Sequence, residues 1–469
     1  MEPQFPTSLL TVRYDSLIYN EGSKKYETWQ SSAINDGVIR ELEVFVTEKL
    51  NRGPAKFVER AEGSYNMIFR FRFTAGNDAA LRFPKPGHTP LALAKEKLAN
   101  EVAWMEYLKA NTAIPIPHVH NSSLQTLDNP SLGLPSVLMD FVQGENLRDF
   151  LASLSAPGKD TAADAMRSTV YEQLAGFYLQ INRLHSKQIG SIAKDKLSGQ
   201  WDVTQRPLTM DMHQLLLGVH EYRTDGWPTK PLQRSSDYFN FVVDQQRSQL
   251  WGLRNLNVTH NCKQDVDLKQ AAEISQLRFR ARMGFKQLVP LFCDHIDDRG
   301  PFLPFNPDLD PRNMVVNPDT GRIMGIFDLE FTNAMPAQFA RDPPLWLHRV
   351  LPGQCLDRDF FPWFLKTYQP YLDLFIVAMK KIEKGGQAEN GQKPLSTMML
   401  ESWASKRCWF NYAAHHADHI DAIYWAELHK LHPDGDKPEI STIMESEMKR
   451  YVEHTERQIT AFEQAWEEN

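Results

Sequence analysis

Cysteine is scarce in this 469-residue chain. Cys262, Cys293, Cys355 and Cys408 stand far apart and form no CxxC pair. That usage argues against a disulfide framework or a zinc ribbon and fits a reducing compartment. Long apolar runs are also missing. No uncharged stretch approaches the roughly 18 residues of a membrane-spanning helix, so no membrane partner is expected. An excess of positive charge is absent as well. The balance is 52 Lys+Arg against 59 Asp+Glu, which argues against nucleic acid as a partner of the whole chain. The first twenty residues carry one Arg and two acids, with no basic segment ahead of an apolar one and no Arg-rich amphipathic presequence. The expected address is therefore the cytosol. What is present is ordinary for a globular protein. Aromatic residues make up 11%, too many for a chain that cannot collapse. At about 100–200 residues per domain, the length allows roughly two to four folding units.

Residues 1–35 are mixed and polar and read as a lead-in. Between Asp36 and Leu50, the positions Val38, Leu42, Phe45, Val46 and Leu50 recur at helical spacing. NMIFRFRF then alternates Phe69, Phe71 and Phe73 with Arg70 and Arg72, the period of a half-buried strand. A turn at Ala75–Asp78 leads to a short strand over Ala79–Phe83. Leu98, Val102, Met105 and Leu108 mark a helix within 91–109, and PSVLMDFV a buried strand ended by Gly144. After Gly144 helical patterns dominate, at 170–184, 235–253, 265–293, 358–385, 397–431 and 438–467. One strand-like island interrupts them, with Asn313–Val316 and Ile323–Phe327 flanking a turn. The segment at 385–393 is the best candidate for a mobile loop. This organisation predicts a small mixed lobe and a large helical lobe that meet near Gly144.

The island carries the chemistry. Asp308 precedes Asn313 by five residues, and Asp328 follows fifteen further on. Two antiparallel strands bring the loop before the first and the end of the second to one edge, so the three side chains can converge. Magnesium takes a few hard oxygen ligands and completes its octahedron with water and phosphate. Asn313 and Asp328 would supply such ligands and leave Asp308 to face a substrate hydroxyl, as in kinase-type phosphoryl transfer. The plainer reading is that all three are turn and strand-end residues.

The DxxxxN…D arrangement, followed by IFDLEF, resembles the aminoglycoside phosphotransferase family. The resemblance extends over roughly 55–350. EGSYN, Glu62–Asn66, resembles the family's nucleotide-covering loop, with Gly63, Ser64 and Asn66 toward the nucleotide. Arg82 falls where the strand lysine stands, and Glu101 where its helix acid stands. TAIPIPHV resembles the stretch before the fourth strand. LMDFVQGENL resembles the hinge, with Met139 near the gatekeeper place and Phe141 within the segment whose backbone meets adenine. The resemblance implies an α+β, protein-kinase-like bilobal fold: lead-in and helix at 1–54, nucleotide-binding lobe at 55–144, catalytic core at 145–355 and helical extension at 356–469. It implies ATP and magnesium as cofactors and a small-molecule hydroxyl as acceptor. Asp308 is then the catalytic residue, Asn313 and Asp328 the metal ligands, and Glu330 their support. A cationic acceptor would need acids, for which Asp294, Asp297, Asp298, Asp418, Asp421 and Glu427 are candidates.

Three positions depart from the family pattern. Asn306 replaces the usual His that braces the catalytic loop, Pro307 the usual Gly, and Arg82 the lysine. They motivate a second reading, a catalytically impaired member acting as a nucleotide-binding or scaffold protein. Outside the pattern, His415 and His419 stand four apart on an expected helix and share a face. Arg278, Arg280 and Arg282 read as a solvated helix face. Trp346, Phe360, Phe361 and Trp363 read as core.

Overall fold

In the computed structural model, which describes residues 6–12, 15–124, 132–254, 268–293, 297–385, 393–432 and 441–467, the alternating run becomes a strand. Cys262, Asp294 and most of segment 385–393 lie outside those residues. Strand β2 (Asn66–Arg72) buries Met67, Phe69 and Phe71 and leaves Arg72 exposed. It pairs with β1 (Lys56–Glu62) on one side and β3 (Ala79–Pro84) on the other. With β4 (Val119–Ser123) and β5 (Ser136–Asp140) the sheet has the order β1-β2-β3-β5-β4, antiparallel throughout. Helix α2 (Asp36–Leu50) lays Leu42, Phe45 and Val46 on its phenylalanines. The polar lead-in holds a helix that periodicity does not reveal, α1 (Ser16–Ala33). Only Gly22 and Tyr26 of it are fully buried, which leaves too thin an apolar stripe to read. Asp15 caps α1, accepting from the amides of Leu17 and Ile18 at 2.9 and 3.3 Å.

Helix α3 (Leu91–Asn111) joins β3 to β4. It buries the polar Lys97, Asn100 and Glu101 among Leu98, Trp104, Met105 and Leu108. Buried charge of that kind needs partners: Glu101 finds Arg82 on β3, and Lys97 finds Glu330 in the second half of the chain. Beyond β5 the short β6 (Glu145–Asn146) joins a hairpin from that half. Gly144 enters this junction at φ +152, where a Cβ would meet Val315 Cγ1 and the Val316 carbonyl oxygen, both at 2.5 Å. Only glycine lets the chain pass there.

The rest is mainly helical, as the periodicities indicate, with two differences. A hairpin of β7 (Ser191–Lys194) and β8 (Trp201–Gln205), and the pair of β9 (Phe302–Phe305) with the later β12 (Asn333–Pro336), were not expected. Strands of four or five residues are too short to establish a period. The single helix expected at 397–431 is instead broken into Leu395–Ala404, Arg407–His415 and Ile420–Ile423, with Lys406 left-handed at φ +65. The island itself is β10 (Met314–Asn317) and β11 (Arg322–Ile326), paired antiparallel.

Two core expectations are corrected. Helix Phe361–Gly385 buries Phe361, Phe364, Tyr368 and Leu372, which leaves Phe360 59% and Trp363 46% exposed on its outer side. Arg278 and Arg282 do not lie on a solvated face: both are buried against Asp421. Among the described residues no helix is long and apolar enough to cross a membrane.

Candidate active site

The loop between β9 and β10 is shaped by its own polar side chains. Asp310 caps the turn Pro311–Asn313, accepting from the Arg312 amide at 2.9 Å and from its Nε at 2.8 Å. Asn313 Nδ2 donates to the Asp308 carbonyl and to Asp308 Oδ2, both at 3.0 Å. Arg312 Nη2 donates to Asp308 Oδ1 at 3.3 Å. Buried Asn306 receives the Asp308 amide on Oδ1 at 2.9 Å and gives Nδ2 to the Asp328 carbonyl at 3.0 Å. It therefore ties the Asp308 loop to the end of β11, a bracing role that sequence comparison with the family put in doubt. The geometry brings Asp308, Asn313 and Asp328 to one edge of the hairpin. Asp328 sits just past β11 with left-handed backbone at φ +63. Burial raises the Asp308 carboxyl above the usual range, against the pull of Arg312 and Asn313. Burial and the neighbouring Glu330 raise Asp328.

The sheet lobe meets this edge through charge. Arg82 on β3 is ion-paired with Glu101 of α3, both buried, and its Nη1 lies 3.6 Å from Asp328 Oδ1. Sequence reading missed a second cation. Lys97, one turn before Glu101, places Nζ 3.1 Å from Glu330 Oε1. Its signal was a lysine on the apolar face of α3. Asn66 Nδ2 reaches Glu330 Oε2 at 3.0 Å, and Asn100 Nδ2 holds the Glu330 carbonyl at 3.1 Å. Glu330 thus binds the covering loop and α3 to the end of β11. Burial opposes its charge, but Lys97, Arg82 and Asn66 keep its carboxyl below the usual range.

The remaining expected nucleotide residues are dispersed around this centre. The Gly63 amide closes the loop onto the Asn66 carbonyl at 2.8 Å. Met139 is buried, and Phe141 lies under Arg70, whose guanidinium carbon is 4.1 Å from the ring centroid. In the hinge the Asp140 and Phe141 amides are engaged within the protein, by the His118 and Asp78 carbonyls at 3.0 Å.

A cavity of about 490 Å³ opens beside Asp308. Tyr65, Asn306, Asp308, His416, Asp418 and His419 are among its lining residues. Of the acids considered for a cationic acceptor, Asp418 alone among the described residues lines it. Asp421 is sequestered by two arginines, Asp297 pairs with Arg341 at 2.5 Å, Asp298 accepts the Ser236 amide at 2.9 Å, and Glu427 pairs with Lys406 at 2.8 Å. The shared face expected for His415 and His419 is also corrected. The helix ends at His415, so His419 belongs to the following turn.

His213 closes the back of the covering loop, its ring centroid 4.4 Å from that of Tyr65. It is fully buried, neither ring nitrogen has a hydrogen-bond partner among the described residues, and burial with help from Lys97 pushes its pKa down to about 3. An unfolded chain takes up this proton below about 6.5. Stability is therefore full above that pH and falls as pH drops toward 3. His213→Phe is expected to flatten the slope of Tm against pH in that window. Equal slopes in the two proteins would remove the assignment.

Residues 56–339, more than half of the chain, match the phosphotransferase enzyme family. The chain is 21% identical over 308 residues to altered inheritance of mitochondria protein 9, mitochondrial, of Meyerozyma guilliermondii, an alignment over 60% of this chain and 49% of the relative. The chain thus spans about half the length of that relative. The relative's name places it in mitochondria, unlike the cytosolic address expected here. Among solved structures, an aminoglycoside phosphotransferase from Streptomyces rimosus aligns at 14% identity and TM-score 0.37, over 82% of this chain and 99% of that one. An ADP-bound aminoglycoside phosphotransferase aligns at 11% identity and TM-score 0.38, over 91% and 99%.

Proposed function

The chain belongs to the phosphotransferase enzyme family, and on that premise we propose that it moves the γ-phosphate of ATP, with magnesium, to a hydroxyl of a small molecule. The observation that carries this reading is the convergence of Asp308, Asn313 and Asp328 beneath the Arg82–Glu101 ion pair. Asp308 borders the cavity, where it would orient the acceptor hydroxyl and take its proton as attack proceeds. Arg82, pinned by Glu101, would neutralise phosphate charge, with Lys97 as a further cation one helical turn away. The residues suit magnesium. Among the described residues Asp328 Oδ1 is a buried oxygen without a hydrogen bond, and Asn313 engages Asp308 through nitrogen, which leaves its oxygen to a ligand. Asn313 and Asp328 would hold the ion, which when bound supplies charge neutralisation on the phosphates. The protein's share is positioning and fixed charge. A cavity of about 490 Å³ fits a small acceptor better than a protein segment.

The catalytically impaired alternative is supported by Pro307 and by Arg82 in place of a lysine. Asn306 does not support it, because its two hydrogen bonds brace the loop. Calorimetry of ATP binding with and without magnesium separates the two readings. Binding is expected to need magnesium and to be lost in Asp328→Ala. Binding indifferent to both would leave the impaired reading in front.

A further inference from the structure

The same cavity that Asp308 borders is lined by the loop His416–His419, to which the proposed phosphoryl transfer assigns no role. We propose that His416, Asp418 and His419 form a site for a divalent transition-metal ion of the zinc class, separate from Asn313 and Asp328. Each of the three offers one ligand atom, and these atoms lie within 4.8 Å of one another. Bonds of about 2.0–2.1 Å in a tetrahedral zinc site set ligand atoms roughly 3.3 Å apart, so an ion would draw these atoms together by up to about 1.5 Å. Two imidazoles and a carboxylate suit zinc, whereas magnesium prefers oxygen alone. Three protein ligands leave a fourth position open, as in zinc sites that receive a water or a substrate atom. All three residues line the cavity, so that position faces the acceptor space.

The loop is held in place from several sides. The Asp418 carbonyl accepts the Val12 amide at 2.7 Å, and the Ala417 amide reaches Asp211 Oδ1 at 3.4 Å. With Nε2 as the ligand atom, the Tyr412 hydroxyl 2.9 Å from His419 Nδ1 would fix the ring. Gly353 makes room for that ring, since a Cβ there would meet His419 Cε1 at 2.3 Å. The His416 ring makes no hydrogen bond among the described residues although it faces the cavity.

The site stands whether or not the chain transfers phosphate, because its readout is metal binding. The whole protein, stripped with a chelator, would be titrated with zinc against a chromophoric competitor and loaded with cobalt for its visible spectrum. One zinc per chain and a tetrahedral cobalt spectrum are expected. His416→Ala and Asp418→Asn are expected to weaken zinc binding by about 100-fold or more, since loss of a supporting partner alone costs 10–100-fold. Asp328→Ala is expected to leave zinc affinity unchanged. Should His416→Ala fail to fold, Asp418→Asn, a near-isosteric change at a half-buried side chain, decides the matter. Absence of zinc binding by the wild type, or binding that Asp418→Asn leaves intact, overturns the proposal.

Discussion

Asp308→Asn is expected to lower phosphoryl transfer by about 10²–10⁴-fold, the range of a positioned acid–base group, while nucleotide binding persists. The local frame survives this change. Asn306 still receives the 308 amide, and Asn313 still donates to the 308 carbonyl, because both bonds use backbone atoms. What is lost is the carboxylate that faces the cavity. Burial raises this carboxyl above its ordinary range, so the wild-type rate should climb with pH as the group loses its proton and then level off. The variant should lack that rise. The measurement is transfer from labelled ATP to an acceptor found by screening, followed across pH. A variant as active as wild type would remove Asp308 from the chemistry and leave the phosphotransferase reading without its base.

Asp421→Ala is expected to destabilise the protein by about 3–5 kcal/mol or more, the cost of leaving buried charge without its partner. Asp421 is fully buried and meets two guanidinium groups. Arg278 Nη1 lies 2.9 Å from Oδ2, and Arg282 approaches with Nε at 3.0 Å and Nη2 at 3.1 Å. Removing the carboxylate strands two buried cations at once. The same arginines hold more than Asp421. Arg278 donates to the carbonyls of Leu9, Leu10 and Thr11 at 2.7–3.2 Å, and Arg282 to that of Gln246. Set against a total stability of about 5–15 kcal/mol, the loss is a large share of what keeps the chain folded. Arg282→Met should cost less, since Arg278 still neutralises Asp421. Urea unfolding of the three proteins tests this order. An Asp421→Ala midpoint close to wild type would show that the buried triad contributes little.

Much of the site was legible because its residues are close in sequence or carried by strong periods. Asp308, Asn313 and Asp328 flank one hairpin, so a turn and two short strands suffice to bring them together. Arg82 sits on a short strand marked by the turn before it, and Glu101 on a helix marked by its spacing. The residues that sequence reading missed owe their place to contacts far along the chain. Lys97 meets Glu330 more than two hundred residues away, and nothing local marks a lysine on an apolar helix face as an ion-pair partner rather than a solvated one. Arg278 and Arg282 pointed the wrong way for the same reason: their partner, Asp421, lies about 140 residues on.

By itself, then, the sequence determined the local period of each long element, the alternating strand at 66–72, the turn that juxtaposes Asp308 with Asp328, and membership in a phosphotransferase family. These follow from side-chain spacing and turn chemistry, which act over a few residues. Only the tertiary structure decided which charged groups are buried and against what. It sequestered Asp421, exposed Trp363, ended a helix at His415 so that His416, Asp418 and His419 gather in the next turn, and made Asn306 a brace. The physical reason is that burying a charge or an amide is tolerated only where a partner arrives. Where that partner comes from is set by the packing of distant elements, not by the spacing of neighbours.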